Sequence, residues 1–147
     1  MEATELARHA EASSVGAGTL ESLDRAIDRL SRDYPSTPPA LLEVRVKRRL
    51  REVAHLLGGR TTVAQHRHLL VGGGWLATLL AILQFDLGDK DAAERTRDAA
   101  FQLGKEGEHQ EIMAWTFELL AWFALVSGRF SEAVDHARAG FQLAPHT

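Results

Sequence analysis

Residues 75–107 of the chain recur about 40 positions later as residues 115–147. Trp75 returns as Trp115, Leu79-Leu80-Ala81 as Leu119-Leu120-Ala121, Gly88 as Gly128, Ala93 as Ala133, and Phe101-Gln102-Leu103 as Phe141-Gln142-Leu143. A fixed offset of this size restricts the fold to stacked, equivalent supersecondary units, because one such unit cannot bury its apolar face alone. Stacks of this kind expose extended surfaces suited to binding rather than to bond-making.

The hydrophobic spacing says which unit is stacked. Leu20, Leu23, Ile27, Leu30 and Tyr34 recur at intervals of three and four, with Glu21/Arg25 and Asp28/Arg32 one turn apart on the wet side. Pro35, Pro38 and Pro39 end that helix and start the next, which buries Leu42, Val46, Leu50, Val53 and Leu57 and stops at Gly58-Gly59. A third stretch begins near Thr61 or Thr62. Its stripe of Leu69, Gly73, Leu76, Leu80, Leu83 and Leu87 stays in phase through Gly72-Gly73-Gly74. Each glycine costs roughly 1 kcal/mol in a helix interior, so a kink or break is expected there, or the close approach of a neighbouring helix. The preserved phase favours one long, bent helix over residues 61–87 rather than two unrelated ones, and the spacing alone leaves the choice open. Helices over 89–106, 108–127 and 129–144 complete the set, with tight turns at Gly88-Asp89 and Ser127-Gly128 and a longer one from Gly104 to Gly107. No segment alternates with period two. The reading is all-α, about 6–7 helices in antiparallel pairs. A linker at 1–18 leads into a repeat domain at 19–147, with helices at about 19–34, 39–57 and 61–73 before repeats at about 74–107 and 114–147.

Composition removes several functions. There is no cysteine, hence no disulfide and no thiolate metal site, and a net charge of −3 argues against this chain alone binding nucleic acid. The N-terminal residues carry no apolar run of the signal-peptide kind, and the longest uncharged stretch, Leu69 to Phe85, is interrupted by three glycines. A cytoplasmic protein with no membrane association is expected.

The second copy reads Phe117-x-x-Leu120-Ala121-x-x-Ala124-x-x-x-Gly128-x-Phe130-x-x-Ala133-x-x-x-Ala137-x-x-Gly140-x-x-x-x-Pro145 and resembles a tetratricopeptide repeat. Small side chains at Ala121, Ala133 and Gly140 allow close helix crossing, Gly128 the tight turn, Phe130 a plug within the pair, and Pro145 a helix stop. In the first copy Leu80, Ala81, Gly88, Ala93 and Ala100 fit, while Lys90 and Lys105 replace the aromatic and the proline. The offset exceeds the usual ~34 residues, which implies longer helices. Over nearly its whole length the chain is similar to the C-terminal sensory region of helix-turn-helix regulators of the xenobiotic-response-element class from high-GC Gram-positive bacteria. That resemblance implies a right-handed α-solenoid with a regulatory role. No helix-turn-helix precedes Leu20, and the chain stops at Pro145-His146-Thr147, where a further repeat would begin, so an excised or truncated piece of a longer regulator is expected.

Laid on the repeat pattern, the groove positions fall on Trp75, Thr78, Leu79, Ile82 and Phe85, and on Trp115, Glu118, Leu119, Trp122 and Leu125. Aromatic rings in a concave groove suit a peptide, a small apolar ligand or a protein partner; the competing reading is that helices 20–57 or further repeats cover them. Arg45, Lys47, Arg48, Arg49 and Arg51 form the densest basic run, read either as a phosphate contact or as a solvated face. His66 and His68, and His109 with Glu111, lie two apart and share no helix face, so no metal site is expected. No nucleophile triad, phosphate loop or dinucleotide fingerprint occurs. The function expected is a non-enzymatic regulatory or interaction domain without cofactor; the alternatives are a stand-alone adaptor and a dimerisation module forming a homodimer.

Overall fold

The computed structural model describes residues 2–145. Among them there are seven α-helices and no strand: α1 Ala3–Glu11, α2 Ala17–Asp33, α3 Pro39–Leu57, α4 Val63–Asp86, α5 Lys90–Glu106, α6 Gln110–Val126 and α7 Phe130–Leu143. Met1 of the expected linker and His146 and Thr147 of the second repeat lie outside the described residues.

α4 is the single long helix that the preserved phase favours, and it moves the boundary expected at residues 73 and 74. The stretch expected at 61–73 is no separate helix but the first half of an unbroken helix of 24 residues, so the first pair starts at Val63 rather than at residue 74. Thr62 and Gln65 start it with reciprocal side-chain bonds to each other's backbone N–H, at 3.1 and 3.0 Å. All three glycines are helical and buried. A Cβ on Gly72 would meet Ile27 Cδ1 and Leu23 Cδ2 of α2, at 3.3 and 3.5 Å. On Gly73 it would meet Val53 of α3 at 3.4 Å and Leu103 of α5 at 3.6 Å, and on Gly74 Ile112 of α6 at 3.0 Å. The glycines are thus the waist at which four helices close on α4, and the lost propensity is offset by packing. The same burial accounts for α4 being long and apolar enough, by length and composition, to cross a membrane, since most of that segment lies inside the helical core.

Contacts run from α4 to α2, α3, α5 and α6, and α6 packs in turn on α5 and α7. One core joins Leu23 and Leu30 of α2 to Leu42, Val46 and Val53 of α3 and to the leucines of α4. A second, smaller core sets Ala81 of α4 and Ala93 of α5 against Leu119 and Phe123 of α6.

The three last connections have one geometry. After α4, α5 and α6 comes a residue with positive φ: Gly88 at 85°, Glu108 at 52° and Gly128 at 79°. In each, the following N–H reaches back five residues: Asp89 to Gln84 O, His109 to Gly104 O and Arg129 to Ala124 O, at 2.8–2.9 Å. This is the glycine-type helix stop repeated every 20 residues. The longer turn expected from Gly104 to Gly107 is therefore corrected. Gly104 is inside α5, where its missing side chain admits Ile112, and the Glu108 turn is as short as the other two. Phe130, expected to plug its pair, stands 65% exposed at the first position of α7, whereas Ala133 and Gly140 do pack inward. Gly140 lies against Ala114 O and Phe117 Cβ, each 3.2 Å from where its Cβ would be.

Residues before α2 are tied down. Ser14 N–H donates to Arg60 O at 2.8 Å, Ser13 Oγ bonds Gln65 Oε1, Gln65 Nε2 donates to Val15 O at 3.0 Å, and Val15 is buried. Only α1, with no buried residue, stands clear of the helical core.

An equilibrium unfolding series tests the glycine assignments. Gly73→Ala meets ordinary contact distances and gains helix propensity, so stability rises by up to about 1 kcal/mol. Gly104→Ala sets a methyl 2.8 Å from Ile112 Cγ2 and 3.1 Å from its Cβ, and loses about 1–3 kcal/mol. Glu108→Gly relieves the left-handed backbone and gains about 0.5–1 kcal/mol. A loss at Gly104 no larger than at Gly73 in denaturant titrations would remove the assignment of Gly104 to the seat of Ile112.

Candidate functional site

A groove of about 1210 Å³ runs along one side of α4. Its floor is a single helical stripe, Ala64, Arg67/His68, Val71/Gly72, Trp75, Thr78/Leu79 and Ile82, spaced by three or four residues over nearly the length of α4. One wall is α2, through Asp24, Ile27, Asp28 and Ser31 on one helix face and Tyr34 at its C-cap. The other contribution is Trp115, the equivalent of Trp75, on α6.

Of the groove residues expected from the sequence, Trp75, Thr78, Ile82 and Trp115 come together here, with Leu79 beside them. Phe85, Glu118 and Trp122 do not. Phe85 turns into the second core, stacked on Phe123 with ring centroids 4.2 Å apart, and Trp122 leans on both rings at 4.7 and 5.5 Å. Glu118 Oε1 lies 3.5 Å from the Cβ position of Gly140, on the α7 side of α6. α4 runs for 24 residues and α6 for 17, and α6 reaches the groove only through Trp115 near its start. Helices 20–57 leave Trp115 47% exposed, while Trp75 is half-buried.

The sequence reading missed the α2 wall. Its polar residues occupy the helix side expected to be merely wet, and only the packing of α2 over Gly72 turns that side toward α4. Two polar clasps hold the wall in place. His68 Nε2 lies 2.8 Å from Asp24 Oδ1, and Tyr34 OH donates to Asp86 Oδ2 at 2.6 Å. Both join α2 to α4, one near each end of the groove. The other polar lining groups are engaged too. Asp28 pairs with Arg32, Ser31 Oγ donates to Ile27 O, Thr78 Oγ1 donates to Gly74 O, and Arg67 donates to Gly107 O and Glu108 O at 2.9 and 3.3 Å. The Asp28/Arg32 pair expected one turn apart forms; no Glu21/Arg25 ion pair occurs among the described residues.

His109 has a structural task. Its Nδ1 accepts from Ile112 N–H at the start of α6, and its ring meets Trp75 edge-on at 5.6 Å. His68 is held by Asp24, and among the described residues no three His, Asp or Glu side chains converge on one point. The basic run is mostly a paired face: Arg45 with Asp33, Lys47 with Glu43, and Arg49 with Glu52, at 2.9–3.3 Å. Arg97, outside the groove, has a largely buried guanidinium paired with Asp98; burial lowers its pKa against the opposing pull of Glu94.

Tyr34 is the chain's single tyrosine, and its pKa is raised from 10.0 to about 12 by burial, by its hydrogen bond to Asp86 and by the Asp86 charge, in that order. The protonated phenol is thus the form the fold prefers. Its contribution is complete below pH 10.0 and is lost as pH rises toward about 12. A phenolate absorbance titration is expected to give a midpoint near 12 in the folded chain, moved down toward 10.0 in Asp86→Asn; an unshifted wild-type midpoint removes the clasp.

Comparison with family models, with curated proteins and with solved structures finds no match to this chain.

Proposed function

We propose that the chain is a non-enzymatic, tetratricopeptide-like regulatory domain of a bacterial helix-turn-helix transcription regulator, acting in the cytoplasm through ligand binding in the α4 groove. Two arrangements support the stacked-repeat part of this reading. α4 pairs with α5 and α6 with α7, and the connectors at Gly88, Glu108 and Gly128 share one geometry at intervals of 20 residues. The regulator part rests on the sequence resemblance alone.

The observation that carries the binding function is the groove itself. It is larger than a typical small-molecule pocket, its floor is one continuous stripe of α4, and three separate helices line it. A ligand bridging α2, α4 and α6 changes their relative stability and thereby biases whatever is attached to them.

The test uses N-phenyl-1-naphthylamine, a neutral apolar dye that brightens on leaving water and accepts energy from tryptophan. Saturable binding with transfer from the indoles is expected, weakened about tenfold by Trp115→Ala and by Ile82→Ala, each of which removes apolar contact worth about 1.5 kcal/mol. Val134→Ala, on α7 away from the groove, leaves it unchanged. Equal binding by all four proteins ends the groove reading. The attachment to a regulator is tested separately, by reading the frame upstream of Met1: absence of a helix-turn-helix segment there favours a stand-alone adaptor.

A further inference from the structure

The groove's polar groups are unequally available, and this asymmetry selects the charge of its ligand. The hydroxyl donors are engaged: Tyr34 OH bonds Asp86, and Ser31 and Thr78 bond carbonyls of their own helices, while Arg67 gives two of its five N–H to the carbonyls of the α5–α6 turn. Acceptors remain. A carboxylate offers about four acceptor positions, and Asp24 and Asp28 each have one partner here.

Neither partner uses up its carboxylate. Asp28 and Arg32 are 58% and 77% exposed, and an ion pair that open to water contributes only about 0–1 kcal/mol. Asp24 is 53% exposed and its partner is an imidazole, which cancels no charge while neutral. The two carboxylates lie one helical turn apart on the groove face of α2. Lining the same cavity are Trp75 and Trp115, whose indole faces attract cations electrostatically. Ile27, Val71, Leu79 and Ile82 supply an apolar surface between them.

We infer that the groove is a site for a bulky lipophilic organic cation, its charge held between the Asp24/Asp28 edge of α2 and the indoles of Trp75 and Trp115. The apolar body supplies most of the contact, and the carboxylates supply the sign preference. A lipophilic anion of the same shape gains the apolar contact but meets two carboxylates against the one guanidinium of the lining, Arg67, which is shared with the Gly107 and Glu108 carbonyls. This inference rests on the groove reading above and sharpens it from an apolar ligand to a cationic one.

A matched pair of probes separates the two claims. Tetraphenylphosphonium and tetraphenylborate have nearly the same size and shape and opposite charge. Calorimetric titration, with displacement of N-phenyl-1-naphthylamine as a second readout, is expected to show the cation binding at least about tenfold tighter than the anion. Asp24→Asn keeps an amide oxygen that can accept from His68, and Asp28→Asn alters an exposed side chain, so the α2 wall stays in place. Each is expected to weaken the cation about threefold to tenfold and to leave the anion unchanged or tighter. If the neutral dye binds in the groove but the two ions bind equally, the charge inference fails while the groove stands. Tighter binding of the anion, or no binding of the cation, overturns it as well. Displacement of the dye by a cationic amphipathic peptide but not by tetraphenylphosphonium overturns it in favour of a peptide occupant. Loss of dye binding altogether is the separate failure of the groove.

Discussion

Everything else in the molecule depends on how closely four helices approach α4 at Gly72, Gly73 and Gly74. Three consecutive glycines weaken a helix by about 3 kcal/mol relative to alanine, and in isolation this segment would break. Here each missing side chain is the space another helix uses: α2 at Gly72, α3 and α5 at Gly73, α6 at Gly74. Both apolar cores include side chains from the half of α4 that follows this waist. A side chain at Gly74 would press on Ile112 and one at Gly72 on Ile27, whereas Gly73 has room for a methyl and no more.

The waist also makes the groove. Seating α2 on Gly72 through Leu23 and Ile27 turns the next positions on that helix, Asp24, Asp28, Ser31 and Tyr34, toward the open side of α4. The Asp24–His68 and Tyr34–Asp86 bonds then fix the wall at each end. An element that looks like an ordinary amphipathic helix thus has two working faces, one leucine-rich and buried, one acidic and lining a cavity. The basic run on α3 has no such second use, because acids on its own helix and on α2 pair with three of its five cations.

Much of this was legible in the residues. Helix identity followed from spacing, and helix ends from Pro39, Gly58, Thr62, Gly88 and Gly128, because caps and stops act within a few residues of chain. The 40-residue offset placed Trp75 and Trp115 as equivalents, and they meet in one groove. Other readings failed for one reason, that the deciding contact is distant in sequence. Local propensity suggests a break at Gly72-Gly73-Gly74, and it is overridden by residues from Leu23 to Ile112. Glu108 hid a turn because its left-handed backbone lacks the glycine that marks the other two. Phe85 and Trp122 sit at groove positions of the repeat pattern, yet stacking on Phe123 draws them away.

The sequence by itself determined the all-helical class, the segments α2 to α7 to within a few residues and the equivalence of the two copies, since these rest on periodicity and on short-range capping; α1 lies in what reads as a linker at 1–18. Only the tertiary structure decided that α4 is one helix, that α2 is the wall of a groove rather than a lid over it, and which aromatic rings face that groove. Those outcomes depend on which surfaces are close enough to exclude water. That is a property of helices packed at a glycine waist and of no single stretch of chain.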